Sequence, residues 1–235
     1  MLRQSQRLHN LKWAANTNAA LFLSELWSKK MKMHETPTSI DELILPNKEI
    51  EKRVRQYAEV KRKGNILMHG PQGTGKSATA FVIADTIRRE SDSDYAVPIY
   101  NAADINDKTF TRFEMDWNWQ RISGTKAAYV IVDEVDRLTA QQQIKLRAIL
   151  DGTELGNVIM TTNNIHNIDK PLADRCDVME FPPITADNWK SKVSEWLSEA
   201  EVLATDEAID AVLETSNGTI RDLKRGVEDI ICEYK

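Results

Sequence analysis

Short apolar runs alternate with helical stretches along the middle of the chain. Five of these runs are short enough for buried strands, and the segments between them repeat apolar residues at helical spacing. Near-continuous apolar strands separated by helices are typical of a parallel sheet that helices cover on both faces. We therefore predict an α/β core around a five-stranded parallel sheet. The predicted strands are 65–69, 97–101, 128–133, 157–162 and 178–181, and the predicted helices between them are 76–90, 108–120 and 140–150.

The pattern changes on both sides of this core. After Pro182-Pro183 only helical spacing is found, which predicts a small helical lid. Residues 50–63 have the spacing of an amphipathic helix that ends at Gly64, and residues 1–35 permit one or two more helices. The lid helices are predicted at 186–199, 206–215 and 219–234, and the chain divides into an N-terminal helical extension (1–35), the α/β core (36–183) and the lid (184–235).

Composition excludes several classes of protein. The chain has 235 residues, of which 41% are hydrophobic and 29% charged, as is usual for a soluble globular protein. No apolar run reaches the ~20 residues of a membrane span, so no membrane partner is expected, and no signal peptide is seen. Cys176 and Cys232 lie far apart, which argues against a zinc site or disulfide framework and favours the cytoplasm. The net charge of −5 would confine any nucleic-acid contact to one face or channel of an assembly.

The segment between the first predicted strand and helix carries the strongest chemical signal. Gly70 to Ser77 has the sequence GPQGTGKS and fits the phosphate-loop pattern G-x-x-x-x-G-K-S. Its glycines let backbone N–H groups converge on phosphates at a helix N-terminus, where Lys76 reaches the β- and γ-phosphates and Ser77 ligates Mg²⁺. A plain Gly-rich turn explains the glycines but not the Lys-Ser pair. The residues expected to hold ATP and Mg²⁺ are Gly70, Pro71, Gln72, Gly73, Thr74, Gly75, Lys76, Ser77, Ala78 and Asp133.

Acidic residues end the strand at 128–133. Asp133 is expected near the metal, through a water, and Glu134 is placed to polarise the water that attacks the γ-phosphate. Acids after a strand are common, so this pair is informative only in combination with the phosphate loop. Asp136 is expected to have a structural role, such as capping the next turn.

Three further polar residues fit the same chemistry. Asn163 follows the strand at 157–162 and is placed to share the attacking water, although Asn163-Asn164 also suits an ordinary turn. Arg175 precedes the last strand and Arg221 opens the last helix, where each is suited to stabilise charge in the transition state. Arg175 is expected to act on a neighbouring subunit and Arg221 on its own. Considered in isolation, either arginine is interpreted by default as part of a surface salt bridge.

Taken together, these motifs resemble the AAA+ ATPases, a branch of the P-loop NTPases, and within them the ATPase subunits of sliding-clamp loaders of the T4-like phage and replication factor C type. The phosphate loop, the acidic box from Asp133 to Asp136, Asn163 as sensor 1 and Arg221 as sensor 2 follow in family order. Three segments narrow the resemblance: 38–46, which is similar to the stretch enclosing adenine; 143–151, similar to the family's Gln…Leu-Arg helix; and 163–176, with Arg175 at the arginine-finger position.

Two departures from that family affect what is expected. The family's Ser-Arg-Cys is Asp174-Arg175-Cys176 in this chain, so an acid lies beside the finger and is able to pair with it. No residues for the family's helical collar are found after the lid, and therefore a stable clamp-loader spiral does not follow from the sequence.

The resemblance implies an ATPase that works in a homo- or hetero-oligomer and loads a sliding clamp on primer-template DNA, in an infected bacterial cytoplasm if the phage likeness holds. The alternatives are a remodeller or helicase loader that acts on another protein, and an ATP-dependent scaffold that does not hydrolyse. A small-molecule kinase fits less well, because Asn163, Arg175 and Arg221 have no role in an acceptor pocket. Candidate DNA-phosphate contacts are either Lys108 and Arg112 or Lys145 and Arg147.

Overall fold

A five-stranded sheet, parallel throughout, forms the centre of the α/β part of the chain. The computed structural model describes residues 36–183, 185–203, 205–216 and 218–233, so the predicted extension at 1–35 lies outside the described residues. The strand order is β2-β3-β4-β1-β5. The strands are β1 (Asn65–His69), β2 (Ile99–Asn101), β3 (Tyr129–Asp133), β4 (Asn157–Thr162) and β5 (Cys176–Glu180).

Helices connect the strands, and the described elements that follow β5 are all helices. Several of the helices begin at capping residues: the Asn47 side chain accepts from the Ile50 amide, and Asn106 and Thr139 each form a capping box. Short 3-10 turns lie at Ile40–Glu42, Ala102–Asp104, Val135–Arg137 and Ile165–Asn167. The helices are α1 (Lys48–Ala58), α2 (Lys76–Glu90), α3 (Asp107–Ile122), α4 (Ala140–Gly152), α5 (Lys170–Ala173), α6 (Ala186–Glu199), α7 (Asp206–Thr215) and α8 (Ile220–Glu233).

The register of the central strands brings three loops to one edge of the sheet. His69 at the end of β1 pairs with Thr162 at the end of β4, and Val132 of β3 pairs with Met160 of β4. Because the strands are parallel, the segments that follow β1, β3 and β4 leave the sheet side by side. Ligands of open parallel sheets bind at this carboxyl edge.

Both faces of the central strands β1, β3 and β4 are buried, as the sequence pattern predicts. Successive strand residues alternate between faces, so Ile66 and Met68 pack with α1 and α2, whereas Leu67 packs with α3 and α4. The helices α6, α7 and α8 bury a separate cluster of their own, around Trp189 and Val227. No helix among the described residues combines the length and apolar character that crossing a bilayer requires.

The predicted helix at 50–63 is wrong at both ends, and its C-terminal error has a local cause. The helix α1 already ends at Ala58, and Val60 then adopts a left-handed conformation with φ of 57°. The Arg62 amide donates to the Gln56 carbonyl at 3.0 Å, which closes the turn. This turn lets the Arg62 side chain form an ion pair of 2.9 Å with Asp177 on β5.

The last strand also begins earlier than predicted, at Cys176 rather than at 178. The apolar pattern misses Asp177 because its carboxylate is buried by partners from elsewhere in the chain. Arg53 and Arg62 form ion pairs with it, and Tyr57 donates its hydroxyl at 3.0 Å. Burial, reinforced by this carboxylate, raises the pKa of Tyr57 to about 12.

A substitution at Gly156, just before β4, tests the close packing of this glycine against Trp117 of α3. A Cβ at this position would lie 2.2 Å from Cδ1 of Trp117, whose indole is fully buried and donates to the Asn157 carbonyl at 3.1 Å. We expect Gly156→Ala to lower the free energy of unfolding by about 1–3 kcal/mol, the usual cost of overpacking. Thermal unfolding by circular dichroism measures the change. The matched control is Gly152→Ala, whose Cβ would meet nothing within 4 Å; equal melting temperatures of the two variants contradict the packing.

Candidate active site

A cavity of about 840 Å³ opens where the carboxyl edge of the sheet meets the lid. This volume suits a ligand of nucleotide size. The loop after β1 and the tips of β3 and β4 form its floor, and residues of α6 and α8 form its far wall. The segment before α1 closes one end through Pro37, Thr38, Ser39, Asp41, Glu42, Leu43 and Ile44.

The predicted phosphate loop contains the tight backbone turns that its glycines allow. Gly70 has φ of +148°, and a Cβ there would lie 2.0 Å from the Phe181 carbonyl oxygen, so no larger residue fits. The loop is also tied directly to the lid, because the Ile220 amide donates to the Gly73 carbonyl at 2.8 Å. Of the predicted loop residues, those that line the cavity are Gln72, Gly73, Gly75, Lys76, Ser77 and Ala78.

The other loop residues shape the loop without lining the cavity. The Thr74 hydroxyl is buried and donates to the Pro71 carbonyl at 3.0 Å. The carbonyls of Gly70 and Pro71 accept from the Lys76 ammonium. Gly70, Pro71 and Thr74 therefore hold the loop in shape, and their direct contact with a nucleotide stays a prediction.

Lys76 is a cation with little access to water. Its side chain is 6% exposed, and its Nζ donates to the carbonyls of Gly70 at 2.8 Å and Pro71 at 2.6 Å. Burial lowers the pKa of this lysine, against the opposing effect of Asp133 and Asp136. Because the ammonium has already lost most of its hydration, an anionic phosphate is a better partner for it than the neutral carbonyls.

Ser77 and Asp133 meet across the sheet edge. The Ser77 hydroxyl donates to Oδ1 of Asp133 at 2.8 Å, and the Thr161 hydroxyl donates to the same oxygen. Hydroxyl and carboxylate oxygens with accompanying waters are the ligands that Mg²⁺ takes beside nucleotide phosphates. Within the described part of the chain, no group of three His, Cys, Asp or Glu side chains is placed to hold a metal ion by itself. The Ser77–Asp133 pair therefore fits an ion whose remaining ligands are phosphate and water.

Glu134 lines the cavity in a strained backbone conformation. It has φ of 57° and ψ of 46°, the left-handed region that non-glycine residues rarely adopt. Its amide donates to the Thr161 hydroxyl at 3.2 Å, which fixes the turn. Its carboxylate forms an ion pair of 2.9 Å with Nε of Arg137, so the acid is charge-balanced in this state.

The two asparagines that follow β4 have different roles. Asn163 lines the cavity, whereas the Asn164 side chain accepts from the His166 amide at 3.1 Å and begins a turn. Asp136 has the structural role expected of it. Its carboxylate accepts from the Thr162 hydroxyl at 2.6 Å and from the backbone N–H of Asn163 at 3.2 Å. These bonds fix the backbone at Asn163.

The two predicted arginines lie in different places. Arg221, at the start of α8, lines the cavity. Arg175 is absent from the cavity wall and forms a bidentate pair with Asp151 at the end of α4, with distances of 2.5 and 2.7 Å. The neighbouring Asp174, which the sequence offered as a partner, is not the residue that binds it.

Among the cavity-lining side chains that sequence reasoning missed, two have a clear role or charge. Thr161 joins Asp133 to Glu134, and a threonine directly after the apolar run 158–160 is the signal that would have found it. Lys224 lies one turn after Arg221 on α8 and also lines the cavity, where burial lowers its pKa. The i, i+3 spacing of the two cations on one helix face was the available signal.

The four predicted DNA-contact residues divide into two pairs. Lys145 forms an ion pair of 2.6 Å with Asp107, and Arg147 one of 3.0 Å with Asp169, so both charges are balanced. Lys108 and Arg112, on α3, have no ion-pair partner among the described residues.

A sequence comparison identifies the family to which this arrangement belongs. The family model described as "ATPase family associated with various cellular activities (AAA)" matches residues 66–184, about half of the chain. The chain belongs to this family. The matched region of this AAA protein runs from β1 through the phosphate loop, the acidic box and Asn163 to the end of β5.

Similar proteins agree with the assignment. Replication factor C small subunits of Archaeoglobus fulgidus and Thermofilum pendens are 28% and 29% identical to it, over 84% of this chain and 61% and 60% of theirs. The AAA chain thus spans about three-fifths of the length of these relatives.

Solved structures show the same fold at lower identity. The Thermotoga maritima RuvB branch-migration motor superposes with a TM-score of 0.62 at 18% identity, over 82% of this chain and 64% of that one. AMPPCP-bound DnaA from Aquifex aeolicus has a TM-score of 0.59 at 18% identity, over 80% and 62%.

Replacement of the buried lysine tests nucleotide binding. Lys76→Ala removes the one cation buried among the loop carbonyls, and loss of a desolvated charge contact costs about 2 kcal/mol or more. We expect the Kd for a fluorescent ATP analogue to rise about 30-fold or more. Lys190→Ala is the control, because Lys190 forms an ion pair with Asp210 on the lid surface, outside the cavity wall. Unchanged affinity in the Lys76 variant contradicts the assignment of the cavity.

Proposed function

We propose that this AAA protein binds ATP with Mg²⁺ in the cavity between core and lid and hydrolyses it as one subunit of an oligomer. In the proposed site Lys76 contacts the β- and γ-phosphates, and Ser77 and, through water, Asp133 hold the ion. The segment 37–44 encloses the base. A bound Mg²⁺ supplies charge neutralisation on the phosphate oxygens.

Hydrolysis in this proposal needs a base, a water-positioning group and cations. Glu134 and Asn163 orient the water, whose oxygen attacks the γ-phosphorus as the bond to the β-phosphate oxygen breaks. One water proton passes to Glu134, and ADP and phosphate are the products. Glu134 is available for this role once its ion pair with Arg137 opens. Lys76 and Arg221 stabilise the charge that develops on the phosphate oxygens.

One observation carries the oligomeric part of the proposal. The cavity wall of one chain contains the phosphate loop, Glu134, Asn163 and Arg221, but Arg175 lies outside it and points to Asp151. An arginine finger that cannot serve its own site is suited to the site of a neighbour, as in other nucleotide hydrolases that receive one in trans. The proposed active site is therefore completed by a second subunit.

The proposed process is DNA replication, with this chain as a clamp-loader-type ATPase that opens and loads a sliding clamp on primer-template DNA. The relatives named replication factor C small subunit and the segments at 38–46, 143–151 and 163–176 support it. Lys108 and Arg112, which lack an ion-pair partner among the described residues, are the better candidates for contact with DNA phosphates.

Exposed apolar side chains on α3 support a protein partner. Met115, Trp119 and Ile122 are 59%, 55% and 74% exposed and follow one another at helical spacing on one face. Monomeric proteins seldom leave such side chains together in water, and aromatic residues are enriched at interfaces. We assign this face to the loaded clamp.

Two alternatives predict different behaviour. A remodeller or helicase loader uses the same ATP site but does not capture a sliding clamp. A scaffold that binds ATP without hydrolysis shows no turnover in any mixture of subunits.

Mixed assemblies test the function at the level of the active site. Glu134→Gln subunits keep Arg175 but lack the base, and Arg175→Ala subunits keep the base but lack the finger. Each variant alone should have little ATPase activity, whereas a mixture should regain turnover, because an intact base then faces an intact finger. Phosphate release measured against mixing ratio shows a maximum at intermediate ratios.

Each other outcome of the mixing has a clear meaning. No gain on mixing contradicts a finger supplied by a neighbour, and full activity of Arg175→Ala alone contradicts any catalytic role of Arg175. Baseline turnover of the unmodified protein and of all mixtures, with retained ATP binding, supports the scaffold.

Replacement of Trp119 tests the proposed partner. We expect Trp119→Ser to weaken capture of the cognate sliding clamp in the presence of ATP by about tenfold or more, the effect of losing an aromatic anchor. Its ATP affinity should stay unchanged. The control is Ile144→Ser, which removes another half-exposed apolar side chain from α4. If the unmodified protein captures no clamp, with or without ATP, the clamp-loader assignment fails and the remodeller is favoured.

A further inference from the structure

All three nitrogens of the Arg175 guanidinium donate hydrogen bonds. Nε and Nη2 donate to the two carboxylate oxygens of Asp151 at 2.5 and 2.7 Å, and Nη1 donates to the Pro171 carbonyl at 2.5 Å. A bidentate pair of this kind fixes the plane of the guanidinium as well as its position. The side chain therefore points in one defined direction.

The contacts leave part of the guanidinium free. An arginine has five N–H groups, and these three bonds use one each on Nε, Nη1 and Nη2. One N–H on Nη1 and one on Nη2 remain without a partner among the described residues. A phosphate oxygen would accept hydrogen bonds from these two N–H groups.

The Arg175 backbone is fixed independently of its side chain. Its amide donates to the Leu172 carbonyl at 3.2 Å, and its carbonyl accepts from the Asn65 side chain at 3.3 Å. The next residue, Cys176, begins β5. With the backbone held by the sheet, the direction of the guanidinium depends on its own partners, and Asp151 is the only charged one that contacts it within the described residues.

Asp151 contributes little to the stability of α4, the helix that carries it. Asp151 lies in the last turn of α4, where the helix dipole disfavours a negative charge and which contains no basic residue of its own. Arg175, together with the more distant Arg147, lowers the pKa of this carboxyl. The ion pair with Arg175 is partly open to solvent, with side chains 49% and 34% exposed, and such surface pairs add little stability.

We infer that Asp151 is a positioning residue that presents the two free N–H groups of Arg175 to the nucleotide of the neighbouring subunit. This inference rests on the proposed function, because it requires Arg175 to act in trans. Asp151 is not among the residues that line the cavity. Its effect on hydrolysis therefore belongs to the subunit that donates the finger and not to the subunit that carries the reacting ATP.

The mixed assemblies described above separate these two subunits. Asp151→Asn is placed either in the Glu134→Gln subunit, which donates the finger, or in the Arg175→Ala subunit, which holds the working site. In the finger donor it should lower the kcat of the mixture about 10- to 100-fold, the usual cost of misplacing a catalytic group by about an ångström. In the Arg175→Ala subunit it should change nothing. KM for ATP should stay the same in both arrangements.

Two matched variants complete the test. Asp151→Glu keeps a carboxylate able to bind both nitrogens and should restore part of the loss in the finger donor. Asp174→Asn changes the adjacent acid that does not contact Arg175, and should leave the kcat of the mixture unchanged. Thermal unfolding of each variant shows whether a loss of activity has a structural origin.

Each outcome decides between roles. Equal losses from both placements mean that Asp151 supports the fold, and a gain in the finger donor means that it restrains Arg175; either result overturns the inference. A loss confined to the finger donor establishes it. If the parent mixture of Glu134→Gln and Arg175→Ala subunits shows no turnover, the finger in trans is itself wrong, and the positioning role falls with it.

Discussion

The site depends on one geometric constraint, the adjacency of β3, β4 and β1 in a parallel sheet. Their register places the ends of three strands in a row, so that groups far apart in the chain meet. Ser77 contacts Asp133 across 56 positions of sequence because the loop after β1 and the tip of β3 share this edge. Thr161 on the intervening β4 bonds both Asp133 and Glu134, which shows how directly the strand order determines the chemistry. A different strand order would leave the same motifs without a site.

The lid adds a second geometric constraint on the site, because a hydrogen bond connects it directly to the phosphate loop. The Ile220 amide binds the Gly73 carbonyl at the first residue of α8, one residue before Arg221. A shift of the loop on phosphate binding would therefore act on the helix that carries both Arg221 and Lys224. This hydrogen bond provides a physical route from the occupied site to the position of the lid, and thereby to any surface that the lid presents to a neighbour.

Most of the fold and part of the site were predictable because they depend on local patterns. The strands at Asn65–His69 and Asn157–Thr162 and the helix at Lys76–Glu90 match their predicted bounds, since apolar runs and the phosphate loop mark them clearly. The turn at Val60 and the early start of β5 were not predictable, because both accompany a buried charge cluster at Asp177 that joins distant segments. The Asp151 partner of Arg175 was missed for the same reason: no local spacing connects two residues 24 positions apart.

The cations singled out by the sequence, together with Lys224, are divided between the cavity and the surface. Lys76, Arg221 and Lys224 converge on one cavity from the core and the lid, yet Arg175 is held away from it by a carboxylate of its own subunit. A residue needed only for its charge would not require a bidentate partner on one edge and free donors on the other. If Arg175 acts on a neighbouring subunit, as proposed, the surface around Asp151 and Arg175 is where the subunit interface should form.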